Sequence, residues 1–552
     1  MTVQTTIFTA KKIITMHPEK PFVTAVAVKD GRILGVGELE DLVHWIKQSP
    51  FTPYQVDTTF QDKVLMPGLV DAHTHIEGQA LSYSGHFIAQ IPWPKPEGGF
   101  YKIYSTKGDV VQRLKELDSE IPPGEVLYGV GFDDNKMGEG FHREELDAIS
   151  TERPILISNH VSNRYWVNSF ALNKSGIGEG NIPKEFETDA EGKLTGTVTR
   201  SSGLRVLSVF SDQFKLTEQT ISRILPLFAA SGNTTVCEAG FGIMNGLDRS
   251  NQLFQNVFTD PGLKLRSVCL PWAAGNIEQS GSLDAFLKQV SEISKETNDK
   301  YRIGAIKLYA DGSIISRNSH MGWPGYWDGT PQGDWEWSPE KLKEILVKCH
   351  EYGFSTATHA SSVPGIQAVL DGVEAAQINQ YRPDMRHRVE HAFNMNEAQL
   401  RKAKNLGVCV QLYPMQIYYY GDIHIKIQGP DRGHNLAPTG TANRVGTSWG
   451  FHCDPPGAPQ LPWVSAWAAV HRKTESGVVL GPEQRVSVPD VLRAMTIEHA
   501  YHLHMDHEVG SIEFGKKADF CVLEADPLTI DPDELKDMPV WGTVFEGSPN
   551  PV

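Results

Sequence analysis

Cysteine is scarce in this sequence, with six in 552 residues: Cys237, Cys269, Cys349, Cys409, Cys453 and Cys521. They form no CxxC pair and no framework spacing, which argues against a thiolate zinc knuckle and suits a reducing compartment. Any bound metal must then rest on nitrogen and oxygen donors. Long apolar runs are also missing. No span of about 18 apolar residues suggests a membrane helix, and Met1 to Lys20 lacks the charged start and unbroken apolar stretch of a signal peptide. A cytoplasmic protein with no membrane partner is expected. Basic charge is not in excess: the formal net charge is -16, and no Lys/Arg cluster offers a nucleic-acid footprint. The expected partner is a small-molecule substrate, with a homodimer as the assembly to test. No internal repeat or low-complexity tract occurs, and 40% hydrophobic composition provides for a large core.

The chain begins with short strands and turns from Thr6 to about Asp62, including a hairpin at Asp30-Gly31, and a matching strand-rich piece spans Gly510 to Leu523. Neither end is large enough to hold a core, so residues 1–62 and 500–552 are expected to combine in one composite β-sandwich domain. Between them, apolar strands alternate with helical stretches, the pattern of parallel α/β folds. Strands are expected near Val64–His75, Thr234–Ala239, Lys264–Leu270, Ile303–Tyr309, Phe354–His359, Arg388–His391, Val408–Tyr413 and Ser448–Asp454. This number fits a (β/α)8 TIM-type barrel over residues 63–499, with a large insertion at about 78–230 after the first barrel strand.

Chemistry-bearing residues fall at the ends of those strands. His73 and His75 are separated by one residue, so on an extended strand both point to one face. Lys307 interrupts the apolar run Ile303 to Tyr309. It is either a snorkelling or salt-bridged lysine, or a neutral amine able to take up carbon dioxide as a carbamate that ligates metal. His359 and His391 each end a strand and, taken singly, could be ordinary core histidines. Asp454 precedes Pro455-Pro456-Gly457; it is either a turn or cap aspartate, or a carboxylate that shuttles a proton beside a metal.

The runs Met66-Pro67-Gly68-Leu69-Val70-Asp71-Ala72-His73-Thr74-His75, Ile306-Lys307-Leu308-Tyr309-Ala310-Asp311-Gly312-Ser313, Thr358-His359-Ala360, Arg386-His387-Arg388-Val389-Glu390-His391-Ala392 and Gly515-Lys516-Lys517-Ala518-Asp519-Phe520 follow one another along the chain. In this order they resemble the amidohydrolase superfamily and its amidohydrolase-3 (YtcJ-like) branch, with similarity to N-substituted formamide deformylases. The resemblance implies His73, His75, Lys307, His359, His391 and Asp454 as metal ligands, with Asp454, Lys307 and His359 catalytic. It also implies one or two zinc ions, iron or manganese being alternatives, and a metal-activated water that attacks an amide-type carbonyl while Asp454 carries the proton. Two segments depart from the branch: His359-Ala360-Ser361-Ser362 and Cys453-Asp454-Pro455-Pro456. Both lie in loops expected to face substrate.

Glu238, Arg317, Trp323 and Tyr413 are the candidate substrate-binding residues, with Trp272, His320, Trp327, Met415, Tyr418 and Tyr419 beside them. The aromatics suggest a partly aromatic substrate, though rings also pack long loops. Decarboxylation or deamination on the same scaffold is one rival reading. A non-catalytic metal-binding regulator is the other.

Overall fold

The structure, a computed structural model, describes residues 4–51, 53–199 and 206–552; positions 200–205 of the expected insertion lie outside these. The chain divides into two compact units. One comprises Met1–Thr74, Phe228–Cys453 and Leu461–Val552, the other His75–Leu227 and Asp454–Gln460. No helix among the described residues is long and apolar enough to cross a membrane.

In the first unit, strands from both chain ends share one seven-stranded sheet. Its order is Ser548–Pro551, Val540–Phe545, Phe520–Leu523, Tyr54–Pro67, Thr5–Ile14, Phe22–Lys29 and Arg32–Gly37. The antiparallel pairing of Phe520 with Pro67 through Leu523 with Val64 joins the two ends. Phe8, Val26, Phe60 and Leu65 from the N-terminal part pack with Phe520, Val522 and Val544 from the C-terminal part in one apolar cluster. Such a cluster needs both contributions, because a short sheet alone buries too little.

The same unit holds two wholly parallel sheets. One runs Tyr301–Ile303, Arg266–Pro271, Asn233–Phe241, Leu69–Thr74, and the other Ile306–Tyr309, Thr356–Ala360, Arg388–His391, Cys409–Leu412, Trp449–Phe451. Asn233–Phe241 is buried at every position, as parallel strands covered on both faces are. Two expected strands are broken. The stretch Val64–His75 divides at Gly68, where an added Cβ would meet Thr234 Oγ1 at 2.1 Å, and His75 lies beyond the strand as the residue preceding helix Ile76–Ser82. The stretch Ile303–Tyr309 divides at Gly304-Ala305, where Gly304 N–H donates to Cys269 O at 2.8 Å. The two sheets therefore form no continuous closed ladder. An isolated parallel bridge between Trp272 and Lys307 spans the break.

Between Leu69–Thr74 and Trp449–Phe451 a side chain replaces the backbone ladder. His499 Nδ1 lies 2.5 Å from Val70 O, and its Nε2 accepts from Phe451 N–H at 3.0 Å. Gly450 leaves the space for this ring, since a Cβ there would sit 2.2 Å from His499 Cδ2. Burial of the imidazole pushes its pKa down to about 4, consistent with a neutral ring that donates at one nitrogen and accepts at the other.

The second unit is built on a six-stranded sheet in the order Phe186–Thr188, Leu194–Thr199, Arg164–Val167, Ile155–Asn159, Leu127–Phe132, His86–Phe87. The last three are mutually parallel. Helix Lys107–Glu120 opens with a Thr106/Asp109 capping box and packs Val110, Leu114 and Leu117 with Leu127, Ile155 and Ile157.

Candidate metal centre

The strand Leu69–Thr74 carries His73 and the strand Arg388–His391 carries Arg388, Glu390 and His391, all buried. Arg388 and Glu390 stand two apart on one strand, hence on one face. Arg388 Nε donates to Glu390 Oε1 at 2.7 Å, and Glu390 Oε2 lies 2.5 Å from His73 Nδ1. Arg388 Nη2 also donates to Ala72 O at 3.1 Å. Burial alone would raise the Glu390 carboxyl, but Arg388 and His73 beside it hold it well below the usual carboxylate range. An ionised Glu390 fixes the proton of His73 on Nδ1, which leaves Nε2 as the nitrogen with a lone pair.

Lys307 is 0% exposed, and its Nζ lies 3.4 Å from His73 Nε2 and 5.0 Å from the Tyr309 ring centre. A snorkelling lysine is thereby ruled out. His359 stacks on Tyr309 at 5.0 Å, and its Nε2 lies 3.1 Å from Gly312 O. Donation to that carbonyl places the proton on Nε2 and the lone pair on Nδ1.

The ring of His391 lies 4.8 Å from His73 and 4.4 Å from His359. A fourth imidazole, His452, stacks on His73 at 4.7 Å and meets His391 at 4.9 Å. His452 was not among the sequence candidates. The expected strand Ser448–Asp454 buried it within an element, and only the observed end at Phe451 puts it directly after a strand. Tyr413 is buried beside these rings, 4.5 Å from His452, and donates its hydroxyl to Cys453 O at 2.8 Å.

His391 and Ala392 have φ of 70° and 43°. Non-glycine residues in this region cost of order 1–3 kcal/mol each and cluster where a site requires them. Asp311 anchors the neighbouring loop, since its carboxylate accepts from Ser361 N, Ser362 N and Ser319 Oγ at 2.8, 2.9 and 2.8 Å.

In the second unit, His75 Nε2 lies 3.3 Å from Asp454 Oδ1. The pair is held by the backbone: His75 N–H donates to Pro455 O at 3.0 Å, and Asp454 has a φ of 59°. Asp454 is thus no helix cap, and its turn is closed by Gly457 N–H donating to its carbonyl at 2.7 Å.

The other expected substrate residues scatter. Glu238 is buried with Oε1 accepting from Gly240 N–H at 2.7 Å. Arg317 pairs with Asp328 at 3.0 Å. Trp323 is 95% exposed, whereas Tyr326 in the same loop is buried. Tyr419 and Tyr420 are buried, and Tyr418 meets Trp467 edge-on at 5.3 Å, so this run serves packing.

The sequence profile described as the Amidohydrolase family matches residues 61–549. The chain belongs to the Amidohydrolase family, and it is a hydrolase acting on carbon–nitrogen bonds. Among curated proteins it is 25% identical to the N-substituted formamide deformylase of Arthrobacter pascens, covering 95% of this chain and 94% of that protein. It is 24% identical to the putative amidohydrolase YtcJ of Bacillus subtilis, covering 97% of each. Among solved structures, an uncharacterized metal-dependent hydrolase from Pyrococcus horikoshii superposes with a TM-score of 0.73 at 21% identity, over 96% of this chain and 99% of that one.

Proposed function

We propose that this enzyme hydrolyses a non-peptide, amide-type carbon–nitrogen bond in a small, partly aromatic molecule, with His73, His75, Lys307, His359, His391 and Asp454 as its metal and catalytic set. The observation that carries the reading is the orientation of the imidazoles. His73 Nδ1 meets Glu390 and His359 Nε2 meets Gly312 O, which puts the ring proton on that nitrogen and the lone pair on the other, facing Lys307 Nζ at 3.4 Å in His73, the arrangement that outer carboxylates and carbonyls impose on ligating histidines. Donors of imidazole, carboxylate and lysine-derived oxygen fit zinc, with iron or manganese as alternatives. The two parallel sheets are read as the halves of one (β/α)8 barrel over residues 63–499, flanked by a composite β-sandwich domain of residues 1–62 and 500–552.

When bound, zinc lowers the pKa of a coordinated water to about 7 and polarises a carbonyl. The protein does the rest. Lys307, as its carbamate, supplies anionic oxygen from a site where a free ammonium would be costly to bury. Asp454, whose Oδ1 lies 3.3 Å from His75 Nε2, takes the proton of the attacking water and returns it to the departing nitrogen. Tyr413 packs its ring against His452 at 4.5 Å. The N-substituted formamide deformylase relative favours N-formyl and N-acyl amines as the first substrates to test.

A screen of N-formyl and N-acyl amines, cyclic amides and carbamates should release free amine together with a carboxylate. Carbon dioxide as product would instead indicate decarboxylation, and ammonia from a ring would indicate deamination. In the same preparation Lys307→Ala should lower the metal content, with about two ions per chain held by this cluster in the unsubstituted enzyme; a content unaffected by the substitution would remove the Lys307 carbamate from the ligand set. Asp454→Asn should keep the metal and lose about 10²- to 10⁴-fold in turnover, and full activity would take Asp454 out of the mechanism.

A further inference from the structure

Away from the imidazole cluster, the second unit brings Asp133, Asp134 and His160 together, with one donor atom of each within 4.8 Å of the others. We infer that these three side chains bind a single divalent transition-metal ion, zinc being the one to test. The site is independent of the proposed hydrolytic function and uses none of its residues.

The placement follows from the sheet. Leu127–Phe132 and Ile155–Asn159 are adjacent parallel strands, with Phe132 paired to Asn159. Asp133 and His160 are the next residue of each strand. They leave the sheet side by side at its carboxyl edge, the edge at which open α/β sheets bind ligands, and His160 N–H still donates to Phe132 O at 2.9 Å. The turn after Asp133 is fixed by its own carboxylate, since Oδ1 accepts from Asn135 N–H at 3.0 Å and Lys136 N–H at 3.2 Å. The turn after His160 is fixed by Asn159 Oδ1, which accepts from Asn163 N–H at 3.0 Å and Arg164 N–H at 3.2 Å.

The distances suit coordination better than hydrogen bonding. His160 Nδ1 lies 3.6 Å from Asp133 Oδ1 and 3.8 Å from Asp134 Oδ1. Both exceed the roughly 2.7–3.2 Å range of a hydrogen bond. Donors placed about 2.0–2.1 Å from a tetrahedral zinc stand about 3.3 Å apart, so a small contraction around an ion satisfies both separations.

A second observation points to a cation. Asp133 is 1% exposed, and among the described residues its Oδ2 accepts no hydrogen bond; Asp134 Oδ1 is likewise buried without a donor, although Oδ2 lies 3.4 Å from Arg164 Nη1. A carboxylate oxygen buried in this way is costly unless a cation or donor meets it. His160, 2% exposed, brings a nitrogen donor to the same point. Two carboxylates and an imidazole suit zinc, manganese or ferrous iron, whereas calcium and magnesium favour all-oxygen shells.

The test uses the full chain with His73→Ala and His391→Ala, which weakens the other cluster, stripped with chelator and titrated with Zn²⁺ alone. About one zinc per chain should bind, and adding Asp133→Asn with His160→Gln should abolish that uptake. A folded chain, judged by its circular dichroism, that takes up no zinc overturns the inference, as does uptake unchanged by the second pair of substitutions. Should the second pair disturb folding, hydrogen exchange of the His73→Ala/His391→Ala chain decides. Zinc should slow exchange at the amides of residues 133–136 and 160–164, and unchanged exchange there overturns the site.

Discussion

Glu390 shows how a residue outside a proposed ligand set can orient a member of it. Its carboxylate joins Arg388 to His73, so its charge both neutralises a buried guanidinium and sets which nitrogen of His73 carries the proton. Glu390→Gln keeps the shape but not the charge, and such outer partners typically affect metal affinity by about 10- to 100-fold. The variant should therefore hold metal about that much more weakly in a chelator competition while retaining its fold; unchanged affinity would reduce Glu390 to a packing role. In the sequence, Lys307 stands out as a charge in an apolar strand, and the His-x-His pair is equally plain. Glu390 and His452 do not stand out, because an acid between Val389 and His391 and a histidine between Phe451 and Cys453 look ordinary until their neighbours are known. Trp323 shows the reverse: an aromatic in the loop after the fourth expected strand suggested a pocket, and its side chain is 95% exposed.

The apolar, β-branched runs of the parallel strands were legible as elements, and Arg388–His391 keeps its expected limits. Their breaks were not legible, because Gly68 and Gly304 matter through what packs on them: Thr234 in one case and Val268, 2.7 Å from an added Cβ, in the other. The same holds for Gly450. An alanine there drives a methyl into the His499 ring that bridges Val70 and Phe451. Gly450→Ala should cost about 1–3 kcal/mol, the usual penalty for overpacking, read as a lower urea midpoint. An unchanged midpoint would mean that the His499 bridge adjusts without loss.

Three buried histidines tie the stability of the whole molecule to pH. Burial lowers His387 and His424 to about 3 and His499 to about 4, whereas in the unfolded chain they titrate near 6.5. As pH falls through 6.5, the unfolded chain takes up protons that the native chain refuses, so their contribution is fully present above that value and declines below it. Each imidazole should cost about 2 kcal/mol between pH 7 and pH 5. Glu390, depressed below the ordinary carboxylate range, withdraws its contribution only at more acid pH. Urea midpoints should therefore fall between pH 7 and pH 5, and a flat profile would show that these rings are not neutral and buried as described.

The sequence by itself determined which donor types are on offer, nitrogen and oxygen with few and scattered thiols, and the alternation of apolar strands that carries His73, Lys307, His359 and His391. Those are local properties, set by residue type and by a repeat of two along an extended chain. The tertiary structure alone decided which of them meet. His73 and Glu390 are 317 positions apart, His499 reaches back across 429 positions to Val70, and Asp133 meets His160 only because two parallel strands end in register. No local pattern encodes such distances, because they are fixed by packing between elements rather than by the conformation of any one of them.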